Sequence, residues 1–377
     1  MRALLVSHPA LTAELGASQV ALNLAAALRQ RGHDAIAWSP EPLPADTRWW
    51  NLSLRQRRAA ERFAREAGPF DLIDTPAIAA SRDLAANGPL VVRSVQPELR
   101  YLWHELRADL VSSRSPRAAV HAALGLPRAR AIVAGWRRAR AILCLGSDEL
   151  AWMRRRFPRW AAKTGMYVCA LGAAEQEALA AVRSGRRTAP PAEAGSAPVH
   201  RYLWVGRWAA HKGTARLEQF LAARLAAVPD EHFTLAGCGT APRHVLPAAW
   251  LESGRVRLVP SFTRTELPAL LAGHDAGLFT SSLEGWGLSL NEMLEAGVTV
   301  FATAAGAVAD LRPFFPDSLR PFPPPASWSA RPLEDLDATG YRRRFSWPEI
   351  ARSYEEQVLA AGLLAGTGAG AAGRRRS

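Results

Sequence analysis

Apolar positions along this chain fall into two alternating periods. Arg2 to Ser7 is a short apolar run that reads as a strand. After a loop reaching Gly16, the segment Ala17 to Arg31 repeats Ala21, Leu24, Ala25 and Leu28 at helical spacing; Gly32 closes that helix and a second strand follows at Ala35 to Trp38. Asp71 to Ile73, Leu90 to Arg93 and Ala141 to Leu145 are further short buried runs, each followed by polar or helical sequence. The alternation restarts with a strand at Tyr202 to Val205, a helix at Thr214 to Ala227, strands at Phe233 to Ala236 and Val256 to Val259, and a short helix near Leu267. It ends in strand, loop, helix and strand over Ala276 to Thr303, where Leu290, Met293, Leu294 and Gly297 share one helical stripe. Strands alternating with helices predict parallel sheets, so the expected class is α/β with two Rossmann-like domains.

Ser184 to Pro198 has linker composition and places the boundary. The expected plan is a first domain over 1–183, a linker over 184–199, a second domain over 200–345, a last helix over 346–363 and a disordered tail over 364–377. Pro313 to Pro325 reads as irregular. The last helix is expected to open with Ser346 as N-cap, Pro348 in the first turn and Glu349 near the third position.

Right-handed crossovers put ligands at the carboxyl ends of parallel strands. The loop Glu284-Gly285-Trp286-Gly287 lies at such an end, and its glycines let a backbone come close. The helix then opens at Leu288 and Ser289 with free N–H groups, a natural phosphate seat. Glu284 and Glu292 bracket it. In the first domain, Gly16 stands at the turn after the first strand without a Gly-x-Gly-x-x-Gly pattern, so a dinucleotide is not expected there.

Two acids spaced this way around a Gly-aromatic-Gly loop resemble the Glu-x7-Glu motif of retaining glycosyltransferases of the GT-B fold, in particular family 4 (glycosyl transferases group 1). Gly206-Arg207 and Lys212-Gly213 are similar to that family's Gly-Arg…Lys-Gly loop, and Gly237-Cys238-Gly239 to its Gly-x-Gly turn. The resemblance implies two domains facing each other across a cleft, with the last helix crossing back to the first. It implies a nucleotide diphosphate sugar as donor, a glycan or lipid-linked acceptor, and transfer of a hexose with retention. Arg207 and Lys212 would grip the diphosphate, Glu284 the sugar hydroxyls and Glu292 the ribose. Donor binding would also draw on Gly16, Gly206, Gly237, Gly285, Gly287, Leu288 and Ser289, although Gly16 and Gly237 also read as plain turns. No metal and no further cofactor are implied.

Two departures from the family pattern stand out. Many members carry a histidine after a middle strand of the first domain, where this chain reads Val92-Arg93-Ser94-Val95-Gln96. Gln96, His8 or His104 are candidates to reach the sugar instead. Ala305 to Asp310 fills the place of the family's Gly-Gly-x-Pro-Glu turn and is assigned no catalytic role. A protein that binds a nucleotide sugar or glycan without transferring it remains the alternative.

The chain has 377 residues and a formal charge of +13, with Lys163 and Lys212 its only lysines. No apolar run approaches the ~20 residues of a membrane span, and the N-terminus lacks signal-peptide features, so a cytoplasmic protein is expected. Cys144, Cys169 and Cys238 lack metal-ligand spacing and read as free thiols. Asp335-Leu336-Asp337 reads as solvated acids. The charge is concentrated between Arg93 and Lys163, with 15 basic and 5 acidic residues and with Trp136, Trp152 and Trp160 interleaved. Such a face suits an anionic membrane surface, hence peripheral attachment at the inner membrane; a solvated arginine-rich face is the other reading. No aromatic-basic motif for nucleic acid is present.

Overall fold

The short aliphatic runs pair into two six-stranded parallel sheets in the computed structural model, which describes residues 1–12, 14–48, 51–112, 116–188, 200–329 and 331–362. The first sheet contains β1 (Arg2–Val6), β2 (Asp34–Trp38), β3 (Leu72–Thr75), β4 (Leu90–Arg93), β5 (Ala141–Leu145) and β6 (Thr164–Tyr167), in the order β2-β1-β3-β4-β5-β6. The second contains β7 (Arg201–Val205), β8 (His232–Ala236), β9 (Val256–Val259), β10 (Ala276–Phe279), β11 (Thr299–Ala302) and β12 (Leu319–Pro321), in the order β12-β11-β10-β7-β8-β9. Central strands such as β1 and β10 are buried along almost their whole length because helices cover both sheet faces. The strand order reverses between β1 and β3 and again between β7 and β10. Each reversal opens a crevice at the carboxyl ends of the strands.

The predicted stripe is present: Leu290, Met293 and Leu294 are fully buried in the helix Leu288–Glu295. Asn291, Glu292 and Glu295 on the same helix are buried as well, which apolar periodicity does not announce.

Three expectations need correction. The segment 184–188, expected as linker, is the last part of the helix Ala173–Thr188. Long-range bonds hold it: Arg183 Nη1 donates to Leu294 O at 2.9 Å and Arg186 Nη2 to the carbonyls of Leu271 and His274. The rest of the expected linker and the tail lie outside the described residues. Secondly, Pro313 to Pro325 is not wholly irregular, because Leu319–Pro321 adds the edge strand β12 beside β11. Thirdly, Ser346 occupies the N-cap position of the helix Trp347–Ala360 without capping it; its hydroxyl donates to Arg343 O, and Glu349 pairs with Arg352.

The two helices that end the domains cross in opposite directions. Ala173–Thr188 reaches onto the second domain through Arg183 and Arg186. Trp347–Ala360 lies on the first: Tyr354 Oη donates to Asp74 Oδ2 at 2.8 Å, Trp347 Nε1 to Leu171 O at 3.1 Å and Gln357 Nε2 to Met166 O at 2.8 Å. Asp74 also accepts from the buried Arg93 Nε at 2.9 Å. One hydrophobic core consequently runs through both domains, from Leu24 and Leu143 to Leu290, Val300 and Tyr354.

Candidate active site

Strands β7 and β10 flank the reversal in the second sheet, and their following loops meet there. Trp204 Nε1, near the end of β7, donates to Thr280 Oγ1 at 3.0 Å, and that hydroxyl donates to Lys212 O at 2.8 Å. Gly213 has φ +70°, and a Cβ there would overlap the Thr280 carbonyl. The loop after β7 is thereby pressed onto the end of β10. This places Lys212 Nζ 2.6 Å from Glu284 Oε1, which also accepts from Ser281 Oγ at 2.6 Å.

Gly206, Arg207, Lys212, Glu284, Gly285, Gly287, Leu288, Ser289 and Glu292 line one cleft of about 360 Å³ together with Gly16 and Gln96 from the first domain. Residues far apart in sequence therefore converge on one cleft. Gly237 does not line the cleft: it turns the chain after β8, behind Phe262, whose ring does line it. His8 and His104 are also absent from the lining, and burial lowers His8 to about 4.

Arg207 is exposed and forms no ion pair with another described residue, whereas Lys212 and Glu284 are largely withdrawn from solvent. Glu292 is buried against Arg264, with Nη2 2.8 Å from its Oε1. Burial pushes the Glu292 carboxyl above its ordinary value, and Arg264 pulls it back.

Several contributors have no motif to announce them. Arg264 divides its guanidinium between Glu292 and Glu175, the latter near the start of the crossing helix Ala173–Thr188. Tyr101, from the helix Glu98–Ser112, donates to Leu283 O at 3.3 Å and packs against the His211 ring at 5.1 Å. Burial, then Lys212, lowers His211 to about 4, so the ring is neutral near pH 7. The domains also approach closely at Gly285, where a Cβ would overlap the Val95 carbonyl.

Among the described residues no group of three or more His, Cys, Asp or Glu could hold a metal ion. Asp335 accepts the N–H groups of Asp337 and Ala338 in a turn, and Asp337 lies 3.4 Å from Arg342.

Residues 199–313 match the family model described as Glycosyl transferases group 1. Most of the second domain is thus similar to that family. The chain is also similar to a curated relative, the uncharacterized glycosyltransferase YqgM of Bacillus subtilis. The two are 31% identical over 113 residues, which is 29% of this chain and 32% of that protein. The match thus spans about a third of the relative's length. Over nearly the whole chain the fold is similar to sucrose-phosphate synthase from Thermosynechococcus elongatus (16% identity, TM-score 0.61, covering 96% of this chain and 94% of that one). It is similar too to Anabaena Alr3699/HepE in complex with UDP and glucose (15% identity, TM-score 0.52, covering 96% and 97%). The fold is GT-B, with both Rossmann-like domains present.

Proposed function

We propose that the chain is a retaining glycosyltransferase that moves a hexose from a nucleotide diphosphate sugar to a glycan or lipid-linked acceptor. The observation that carries this reading is the convergence of Arg207, Lys212, Glu284 and the opening of the Leu288–Glu295 helix on one interdomain cleft. A similar fold solved with UDP and glucose supports the donor class.

In this reading the diphosphate sits between Arg207, Lys212 and the Leu288 and Ser289 N–H groups. Its charge rises as the bond from the sugar C1 to the diphosphate oxygen breaks, so these groups stabilise the transition state more than the bound donor. The acceptor oxygen bonds to C1 on the same face, and its proton passes to the departing diphosphate oxygen. No enzymic nucleophile is needed. Lys212, which pairs with Glu284, is drawn to the incoming diphosphate, freeing Glu284 for the sugar hydroxyls. Glu292 meets the ribose. The cations stand where a metal would otherwise neutralise the diphosphate, so the reading includes none. Domain closure over the donor excludes water.

For the acceptor side, the first domain carries a groove of about 750 Å³ lined by Leu99, Trp103, Leu126, Phe157 and Trp160 and rimmed by Arg130, Arg137 and Arg159. Trp103 and Leu126 are each 56% exposed. An apolar groove with a cationic rim suits an anionic lipid surface, and peripheral attachment there would bring lipid-linked acceptors to the cleft. No described helix is long and apolar enough to cross a membrane.

Screening nucleotide sugars for thermal stabilisation, then for turnover, tests the function. A ligand at 100 times its Kd adds about 2.7 kcal/mol of stability. Saturable binding without hydrolysis or transfer would instead favour a nucleotide-sugar binder that lacks transfer.

A further inference from the structure

Trp286 stands between the two glycines of the donor loop and is buried. Its Nε1 donates to Asn291 Oδ1 at 2.7 Å, Asn291 Nδ2 donates to Tyr341 Oη at 2.8 Å, and Tyr341 Oη donates to Glu295 Oε1 at 2.7 Å. All four side chains are at most 3% exposed. They come from three places: the loop, the Leu288–Glu295 helix behind it, and the turn Tyr341–Arg344 that leads into the crossing helix.

A chain of buried polar groups is costly to desolvate and persists only when its members are satisfied. An apolar ring in place of the indole would need none of it. Here every donor points the same way and the run ends on a carboxylate. The Trp286 backbone is fixed too, since its carbonyl accepts the Ala307 N–H at 2.9 Å. Ring and peptide of one residue are therefore held from below and from the side. The residues before and after it are Glu284 and Gly285, then Gly287, Leu288 and Ser289. At the other end, Tyr341 is only six residues before Trp347, whose helix is bonded to the first domain through Leu171 and Asp74.

We infer that Trp286, Asn291, Tyr341 and Glu295 form a positioning relay that holds the donor loop in its working geometry and ties it to the segment crossing between domains. None of the four is assigned contact with the reacting atoms. The kinetic part of this inference rests on the proposed transferase activity.

The test combines kinetics with amide hydrogen exchange of the peptide covering residues 283–290. Tyr341→Phe removes one oxygen and keeps the ring among Phe314, Phe315 and Phe345. Tyr341→Phe and Asn291→Leu are each expected to lower kcat by roughly 10-fold, the scale of a misplacement well under 1 Å, with donor KM changed less than about threefold. Because they belong to one chain of bonds, the double variant should be no slower than the worse single one. Glu295→Gln keeps an acceptor for the tyrosine and should retain at least about half of the wild-type kcat, while Glu295→Leu falls with Tyr341→Phe. Exchange in 283–290 should accelerate in Tyr341→Phe, with β11 unchanged. Folded variants with wild-type kcat, losses that multiply in the double variant, or equal damage from Glu295→Gln and Glu295→Leu would each overturn the relay. If the wild-type protein transfers no sugar, the functional reading fails and exchange decides alone: faster exchange in the loop supports the relay, and unchanged exchange ends it.

Discussion

Asp310 Oδ2 accepts the backbone N–H of Ser147 at 3.0 Å, so a carboxylate of the second domain satisfies the first turn of a helix in the first, Gly146–Arg156. The turn that carries Asp310 has no catalytic assignment, and this bond joins the two domains. A side-chain acceptor at a helix start contributes about 1 kcal/mol. Asp310→Ala should lose roughly that much in urea unfolding, and Asp310→Asn, which keeps an acceptor, less than half of it. Equal losses for the two would show that the bond is not what matters.

Arg207→Ala and Lys212→Ala should each lower kcat by ~10²-fold, as when one preorganised donor is removed from an active site. They should differ in stability. Arg207 is exposed and unpaired among the described residues, so its removal should change unfolding by less than about 0.5 kcal/mol. Lys212 neutralises the buried Glu284, and its loss should cost about 1–3 kcal/mol, recovered in part by adding Glu284→Gln. Recovered stability without recovered rate is the expected pattern. A folded Lys212→Ala enzyme with wild-type turnover contradicts the diphosphate assignment.

The two acids should separate in binding. Glu292→Gln is expected to weaken the free nucleoside diphosphate by about tenfold, the scale of one hydrogen bond to a charged group, and Arg264→Ala should do the same by freeing Glu292. Glu284→Gln should act on transfer and spare that affinity. Calorimetry with the nucleotide alone reads the difference, and equal losses for Glu284→Gln and Glu292→Gln would refute it.

Burial raises Glu295 from 4.5 to about 7, and Glu98 and Glu149 likewise to about 7. A carboxyl raised on folding binds its proton more tightly in the native state. Its contribution is therefore fully present below about pH 4.5 and is lost as pH rises through about 7. Glu295→Gln removes one such loss, so between pH 5 and 8 the variant should gain on wild type, by no more than ~1.4 kcal/mol per pH unit. Urea midpoints at the two pH values give the comparison; a constant difference would place the titration elsewhere.

Sedimentation with liposomes tests the surface around Trp103. Binding to anionic vesicles at low salt should disappear at high salt and with neutral lipid, because each arginine near the surface contributes only ~1 kcal/mol and is screened. Trp103→Ala should weaken it without affecting the cleft. Full recovery in the supernatant under every condition would dismiss the surface.

What the sequence makes legible depends on whether a contact is local. Leu290, Met293 and Leu294 announce themselves by spacing, Glu284 and Glu292 by bracketing the glycine loop and helix start that follow a strand, and Lys212 by its resemblance to the family's Lys-Gly loop. Arg264, Tyr101 and His211 do not, because each reaches the cleft through packing between elements distant in sequence. The helix through Thr188 was obscured by Gly185 and a run of arginines that look solvent-loving; carbonyls more than eighty residues away hold Arg183 and Arg186 in place. β12 is three residues long, too short for alternation to show, and only its neighbour β11 defines it.

The exchange of end helices also decides where this molecule can be divided. A break between Thr188 and His200 cuts the chain where its sequence changes character, yet each fragment would carry away a piece of the other's interior. The front piece would leave with Arg183 and Arg186, uncovering carbonyls at Leu271 and Leu294, and the rear piece with Tyr354 and Trp347, stripping the partners of Asp74 and Leu171. The natural modules for grafting or for split-protein complementation are thus not contiguous stretches of sequence. The front module needs residues 347–360 supplied as a separate or permuted segment.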